Sequence, residues 1–200
     1  MVVKNDNRIE LLRKIKDEVV GLKESFLCQE RIKNGVFPVL GEGNHYAEIM
    51  FIGEAPGKNE VATGRPFCGA SGRVLDELLA HISLDRKNVY VTNIVKDRPP
   101  LNRDPRQEEI DLYASFLDRQ ISVIQPKVIV ALGRFSMEYL MKRFGLKNEL
   151  DSIGKIHGRK FEMKTDYGTA KFIPLYHPAV ALYNAKEKDT LKKDFEVLII

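Results

Sequence analysis

Four short apolar runs recur along the chain: "EIMFIG" (48–53), "NVYVTNIV" (88–95), "KVIVALG" (127–133) and "AKFIPLYH" (170–177). Rich in β-branched and aromatic residues, they read as buried strands. Between them lie segments with a helical period. "SGRVLDELLAHI" turns Val74, Leu75, Leu78, Leu79 and Ile82 to one side, and "RFSMEYLMKRFG" follows the third run. Strands alternating with helices require right-handed crossovers and a sheet covered on both faces. The expected fold is therefore α/β: a three-layer α/β/α sandwich with a central, mostly parallel four-stranded sheet, one domain over 1–200.

Other elements frame this core. Ile9, Leu12, Ile15, Val19, Leu22 and Phe26, three or four apart, predict a helix over 8–27. "RKFEM" reads as a further strand and "KEKDTLKKDFEVLI" as a closing helix. Asp104 fits an N-cap, with Pro105 at the first helical position and Gln107 completing a capping box.

No apolar run reaches the roughly 18–20 residues of a membrane helix, and no secretory signal is evident, so a cytoplasmic protein without membrane association is expected. The net charge is +4 and the pI about 8.9, which permits a polyanionic partner without requiring one. Cys28 and Cys68 are the only cysteines and cannot form a four-thiolate metal or cluster site. Two inert thiols are expected.

In a parallel sheet, ligands sit beyond the carboxyl ends of the strands. Three loops occupy those ends: 53–69, 93–104 and 176–183. The first is broken by Gly53, Gly57, Gly64 and Gly69 and stiffened by Pro56 and Pro66, yet it matches neither a Walker A loop nor a dinucleotide fingerprint. Glu54, Glu60, Phe67, Asn93 and His177 are expected to converge there. An aromatic face, an amide and an imidazole in one pocket suit a planar heterocycle, through stacking and edge hydrogen bonds.

The segments "GEAPGKNEVATGRPFCGASGRVLDELL", "VYVTNIVKDRPPLNRDPRQEEI", "VIVALG" and "YHPAVAL" resemble, in unbroken order, the motifs of the uracil-DNA glycosylase superfamily, specifically its thermostable family 4. The resemblance implies a monofunctional repair enzyme that acts on uracil-containing DNA and leaves an abasic site. Phe67 would stack on the flipped-out uracil and Asn93 would read its edge. Glu60 would sit near C5, and Ala55 and Gly57 would line the water and sugar side. Glu54 and His177 would be catalytic, with His177 facing O2. Lys58, Arg65, Lys96, Arg98 and Arg103 would contact phosphates, and Leu182 would wedge into the vacated space. A monomer associated with the nucleoid is expected. A glycosylase for hypoxanthine or xanthine, a uracil-DNA-binding module with weak turnover, and a nucleotide-binding α/β protein without a DNA role are the alternatives.

The sequence departs from the family pattern in two places. Family 4 enzymes hold an iron–sulfur cluster on four cysteines, and those positions read Ser25, Cys28, Asp97 and Tyr113 here. No cluster is expected; Tyr113 and Phe26 would supply packing instead, and Asp97 could bind only a harder metal. Val61 stands where the family has an acid, which shifts weight onto Glu54. His157 falls outside the loop through which a covalently uracil-capturing relative acts, so a phosphate or surface role is expected for it. His45 and His81 read as polar surface.

Overall fold

The computed structural model describes residues 6–199. Its strands are β1 (Glu42–Gly43), β2 (Ile49–Gly53), β3 (Tyr90–Asn93), β4 (Val128–Leu132), β5 (Phe161–Thr165) and β6 (Gly168–Leu175). The helices are α1 (Arg8–Val20), α2 (Phe26–Lys33), α3 (Lys58–Thr63), α4 (Ala70–His81), α5 (Gln107–Ile124), α6 (Arg134–Arg143), α7 (Ile153–Ile156) and α8 (Ala185–Glu196).

The sheet runs β1-β3-β2-β4-β6-β5. Its centre, β3-β2-β4-β6, is parallel throughout and consists of the four expected runs. Two antiparallel edge strands bring the total to six. The two-residue β1 lies on β3, and β5 on β6, so the expected count of four described only the core. Neighbouring residues of each central strand serve opposite faces. Met50, Ile52, Ile129 and Ala131 pack under α1, α5 and α6. Ile49, Phe51, Val128 and Val130 pack under α4 and α8, where Leu75, Leu78, Leu191 and Phe195 are buried. Three layers result, as the alternation implied. No described helix is long and apolar enough to cross a membrane.

Two local expectations are corrected. The first helical pattern is not one helix: α1 ends at Val20, and Gly21 opens a turn after which the Ser25 hydroxyl caps α2 by accepting from Cys28 N. The break rotates the second half, leaving Phe26 about half exposed rather than packed. The helix α5 begins at Gln107, not at Pro105. Arg106 is still extended, and the Glu109 carboxylate accepts its N–H at 2.8 Å, so the cap is built from Glu109 and not from Asp104.

Candidate active site

The register of the sheet brings the candidates together. Gly53 pairs with Asn93 where β2 and β3 end, and the ladder runs on as Ile94 N donates to Gly53 O and Val95 N to Glu54 O, both at 3.0 Å. One pair further along the sheet, Leu132 lies beside Leu175, two residues before His177. Glu54, Ala55, Gly57, Glu60, Phe67, Asn93 and His177 all line one cavity of about 500 Å³ at these strand ends.

Gly53 makes the convergence sterically feasible. A Cβ there would lie 2.4 Å from Asn93 Oδ1 and 2.8 Å from Phe67 Cζ. The amide and the ring therefore meet over one missing side chain. Phe67 itself has φ of +48°, an uncommon conformation for a bulky residue. It is held there because its carbonyl packs against Gly72 of α4, where a Cβ would come within 1.8 Å. Arg86 adds a clamp, donating to Pro66 O at 2.7 Å while paired with Asp76. The Phe67 and His177 rings lie 5.5 Å apart, tilted by 30°.

The electrostatics separate the two candidate catalytic groups. Burial raises the Glu54 carboxyl to about 7, assisted by the charge of Asp104 and opposed by Arg134. Burial lowers the His177 imidazole to about 4, so the ring is neutral at pH 7. Its Nδ1 accepts the Ala179 N–H at 3.2 Å. In a neutral ring that leaves the proton on Nε2, an N–H donor at the cavity. Glu60 is oriented by Gly69 N, which donates to its Oε1 at 3.2 Å. Val61 is buried, and its side chain is not part of the cavity wall.

The basic residues divide. Lys58 and Arg98 line an adjoining groove, and Arg103 lies on the cavity rim, bonded to Glu109 at 2.8 Å. Arg65 is exposed and paired with Glu42 at 2.9 Å. Leu182 is partly exposed on the turn after β6. Lys96 is a correction. It is fully buried, and its Nζ donates to Thr92 Oγ1 (2.8 Å), Asn93 O (2.6 Å) and Gln120 Oε1 (2.6 Å), so no phosphate reaches it. A lysine three residues past a strand reads as solvent-facing, but three convergent acceptors under α5 draw it inward. Sequence reasoning also missed Tyr183 and Asn102 on the cavity rim, and Arg134, whose charge acts on Glu54. The signal for Arg134 was its place immediately after the third run, at the start of a helix.

The model of the uracil DNA glycosylase superfamily matches residues 40–198, a span that includes all three loops. The chain belongs to this superfamily. Within it, the chain is similar to the Type-4 uracil-DNA glycosylase of Sulfurisphaera tokodaii, at 44% identity over 94% of this chain and 83% of that protein. It is 47% identical to the Type-4 enzyme of Saccharolobus solfataricus, over 90% of this chain and 82% of that one. The Type-5 uracil-DNA glycosylase of Thermus thermophilus is 35% identical over 66% of this chain and 65% of its own length.

The remaining histidines of this superfamily member lie elsewhere. His157 Nδ1 is hydrogen-bonded to Asp194 at 2.7 Å, with its ring 4.5 Å from Tyr176, outside the cavity wall. His81 pairs with Glu196, and His45 lies against Tyr90.

Ser25, Cys28, Asp97 and Tyr113, the positions that the family resemblance relates to cluster ligands, also meet. Ser25 Oγ and Tyr113 Oη are 2.9 Å apart, and Tyr113 donates to Asp97 Oδ2 at 2.6 Å. Arg31 lies among them, donating to Asp97 Oδ1 at 3.1 Å and to Cys28 Sγ at 3.0 Å. The guanidinium thus bridges the thiol and the carboxylate. No group of three or more metal-ligating side chains occurs among the described residues.

Proposed function

We propose that the protein hydrolyses the N-glycosidic bond of uracil in DNA, releasing free uracil and leaving an abasic site. The carrying observation is the meeting of Phe67, Asn93, His177 and Glu54 around one cavity in a chain of this superfamily. A flipped-out uracil stacks on Phe67, and the Asn93 amide pairs with its O4 and N3–H, a donor–acceptor pattern that cytosine inverts. Glu60 stands near C5, where the methyl group of thymine would collide with it.

As the bond breaks, negative charge gathers on the base and positive charge on the sugar. Preorganised groups that meet those charges lower the barrier. His177 Nε2–H donates to uracil O2. Its depressed basicity keeps it a donor without prior protonation. Glu54, with a carboxyl near 7, is substantially ionised at neutral pH; it faces the sugar and orients the water. No lysine lines this cavity among the described residues, and Lys96 is sealed, which supports hydrolysis without an imine step.

The enzyme works as a monomer and needs no iron–sulfur cluster. The Ser25–Tyr113–Asp97–Arg31 network supports the cluster-free reading, because it satisfies with hydrogen bonds the region that a cluster would tie together. DNA phosphates are held by Lys58, Arg65, Arg98 and Arg103, and Leu182 fills the gap left by the base. Substrates with little pairing to break are favoured, so single-stranded uracil and G·U are cleaved faster than A·U.

The test is uracil release from a labelled oligonucleotide by wild type, Asn93→Ala and His177→Ala. Each variant is expected to lose on the order of 100-fold in kcat. Wild type that binds uracil-DNA but releases nothing would leave a binding module in place of an enzyme.

A further inference from the structure

The loop after β3 presents an apolar side chain that the fold does not use. Leu101 is 94% exposed, more than any other large apolar side chain among the described residues. Its backbone is left-handed, with φ of +57° and ψ of 19°, and Asn102 follows at φ +56°. Asparagine tolerates that conformation and glycine adopts it freely, whereas leucine is disfavoured there. Neither packing nor backbone preference accounts for a leucine at this position.

The turn is stiff. Pro99 and Pro100 precede Leu101, Asn102 N donates to Pro99 O, and Arg103 N donates to Pro100 O, both at 3.1 Å. Arg98 Nε donates to Asn102 Oδ1 at 2.6 Å, and Arg103 is fixed on Glu109. An apolar tip is thus held rigidly between two arginines. Its neighbours Pro99, Asn102 and Arg103 line the cavity, and Leu101 itself lines the adjoining groove with Lys58 and Arg98. Tyr183, 88% exposed, lines the same cavity from the loop after β6, next to Leu182.

We propose that Leu101 is a second apolar insert, entering the base stack of double-stranded DNA beside the everted uracil from the β3 loop while Leu182 enters from the β6 loop. Apolar side chains inserted at a base step compensate for lost stacking, and flanking arginines meet the phosphates of the distorted strand. A single strand has no stack to hold open. Leu101 therefore serves duplex substrates and is dispensable on single strands. This inference rests on the glycosylase reading.

The experiment compares uracil release by wild type, Leu101→Gly and Leu101→Phe from one oligonucleotide, single-stranded and annealed as A·U. Glycine relieves the left-handed strain, so L101G is expected to melt at or above the wild-type temperature. Its single-strand rate stays at the wild-type value while its A·U rate falls about tenfold, and L101F keeps most of the A·U rate. An L101G enzyme with an unchanged A·U rate, or with equal losses on both substrates, overturns the proposal and leaves the glycosylase reading intact. Wild type inactive on both substrates overturns both.

Discussion

Gly53 shows how a site can depend on an atom that is absent. With 2.4 Å to Asn93 Oδ1 and 2.8 Å to Phe67 Cζ, a methyl group there displaces the amide, the ring or both. Gly53→Ala is expected to lose about 100-fold in kcat, the usual effect of misplacing a reacting geometry by about 1 Å. A variant with full activity would mean that Asn93 and Phe67 do not work as a pair. Glu54 gives the pH dependence. Activity that needs its ionised form rises with an apparent pKa near 7 and levels off above it, and Glu54→Gln flattens that rise along with lowering the rate. The stability effect has the opposite sense. A carboxyl raised from 4.5 to about 7 on folding favours the folded state below pH 4.5, and that contribution is lost as pH rises through 7. Glu54→Gln should therefore raise the melting temperature at pH 8 and not at pH 4; equal shifts at both would show that the carboxyl is not perturbed. Asn93, where β3 ends, and His177, two residues past β6, were legible as cavity residues because ligands sit at strand ends. Lys96 was not, because its acceptors come from β3 and from α5, where Gln120 lies 24 positions further along the chain.

At the scale of elements, the sheet core was legible and its trimmings were not. Two-residue β1 has no periodicity to detect, and the break between α1 and α2 hides inside an unbroken apolar pattern; only Gly21 marks it. The region between those helices depends on Arg31. Its guanidinium also donates to Val20 O at 2.6 Å, joining the end of α1 to α2, to the loop after β3 and, through Asp97 and Tyr113, to α5. Burial pushes the Asp97 carboxyl up, while Tyr113 and Arg31 hold it back. Removing one partner leaves an uncompensated buried group, so Arg31→Met is expected to cost about 3–5 kcal/mol in urea unfolding. Arg31→Met with Asp97→Leu should recover most of that loss. If the single variant unfolds at the wild-type midpoint, the network does not hold these elements together. Arg31 escaped sequence reading because an arginine on a helix otherwise suggests a solvated face.

For the whole molecule, a net charge of +4 is modest, so binding depends on where the cations lie. If Lys58, Arg65, Arg98 and Arg103 meet phosphates as proposed, log affinity for uracil-DNA should fall against log salt with a slope of about −4 on a duplex. A slope near zero would remove these residues from the interface. The central claim is that one cavity at the strand ends grips an everted uracil and breaks its bond to the sugar. Its most direct measurement is the single-turnover rate of uracil release from single-stranded uracil-DNA, wild type against Asn93→Ala. The wild type is expected to release uracil quantitatively and Asn93→Ala to fall about 100-fold. Release that is absent in the wild type, or equal in the two proteins, would contradict it.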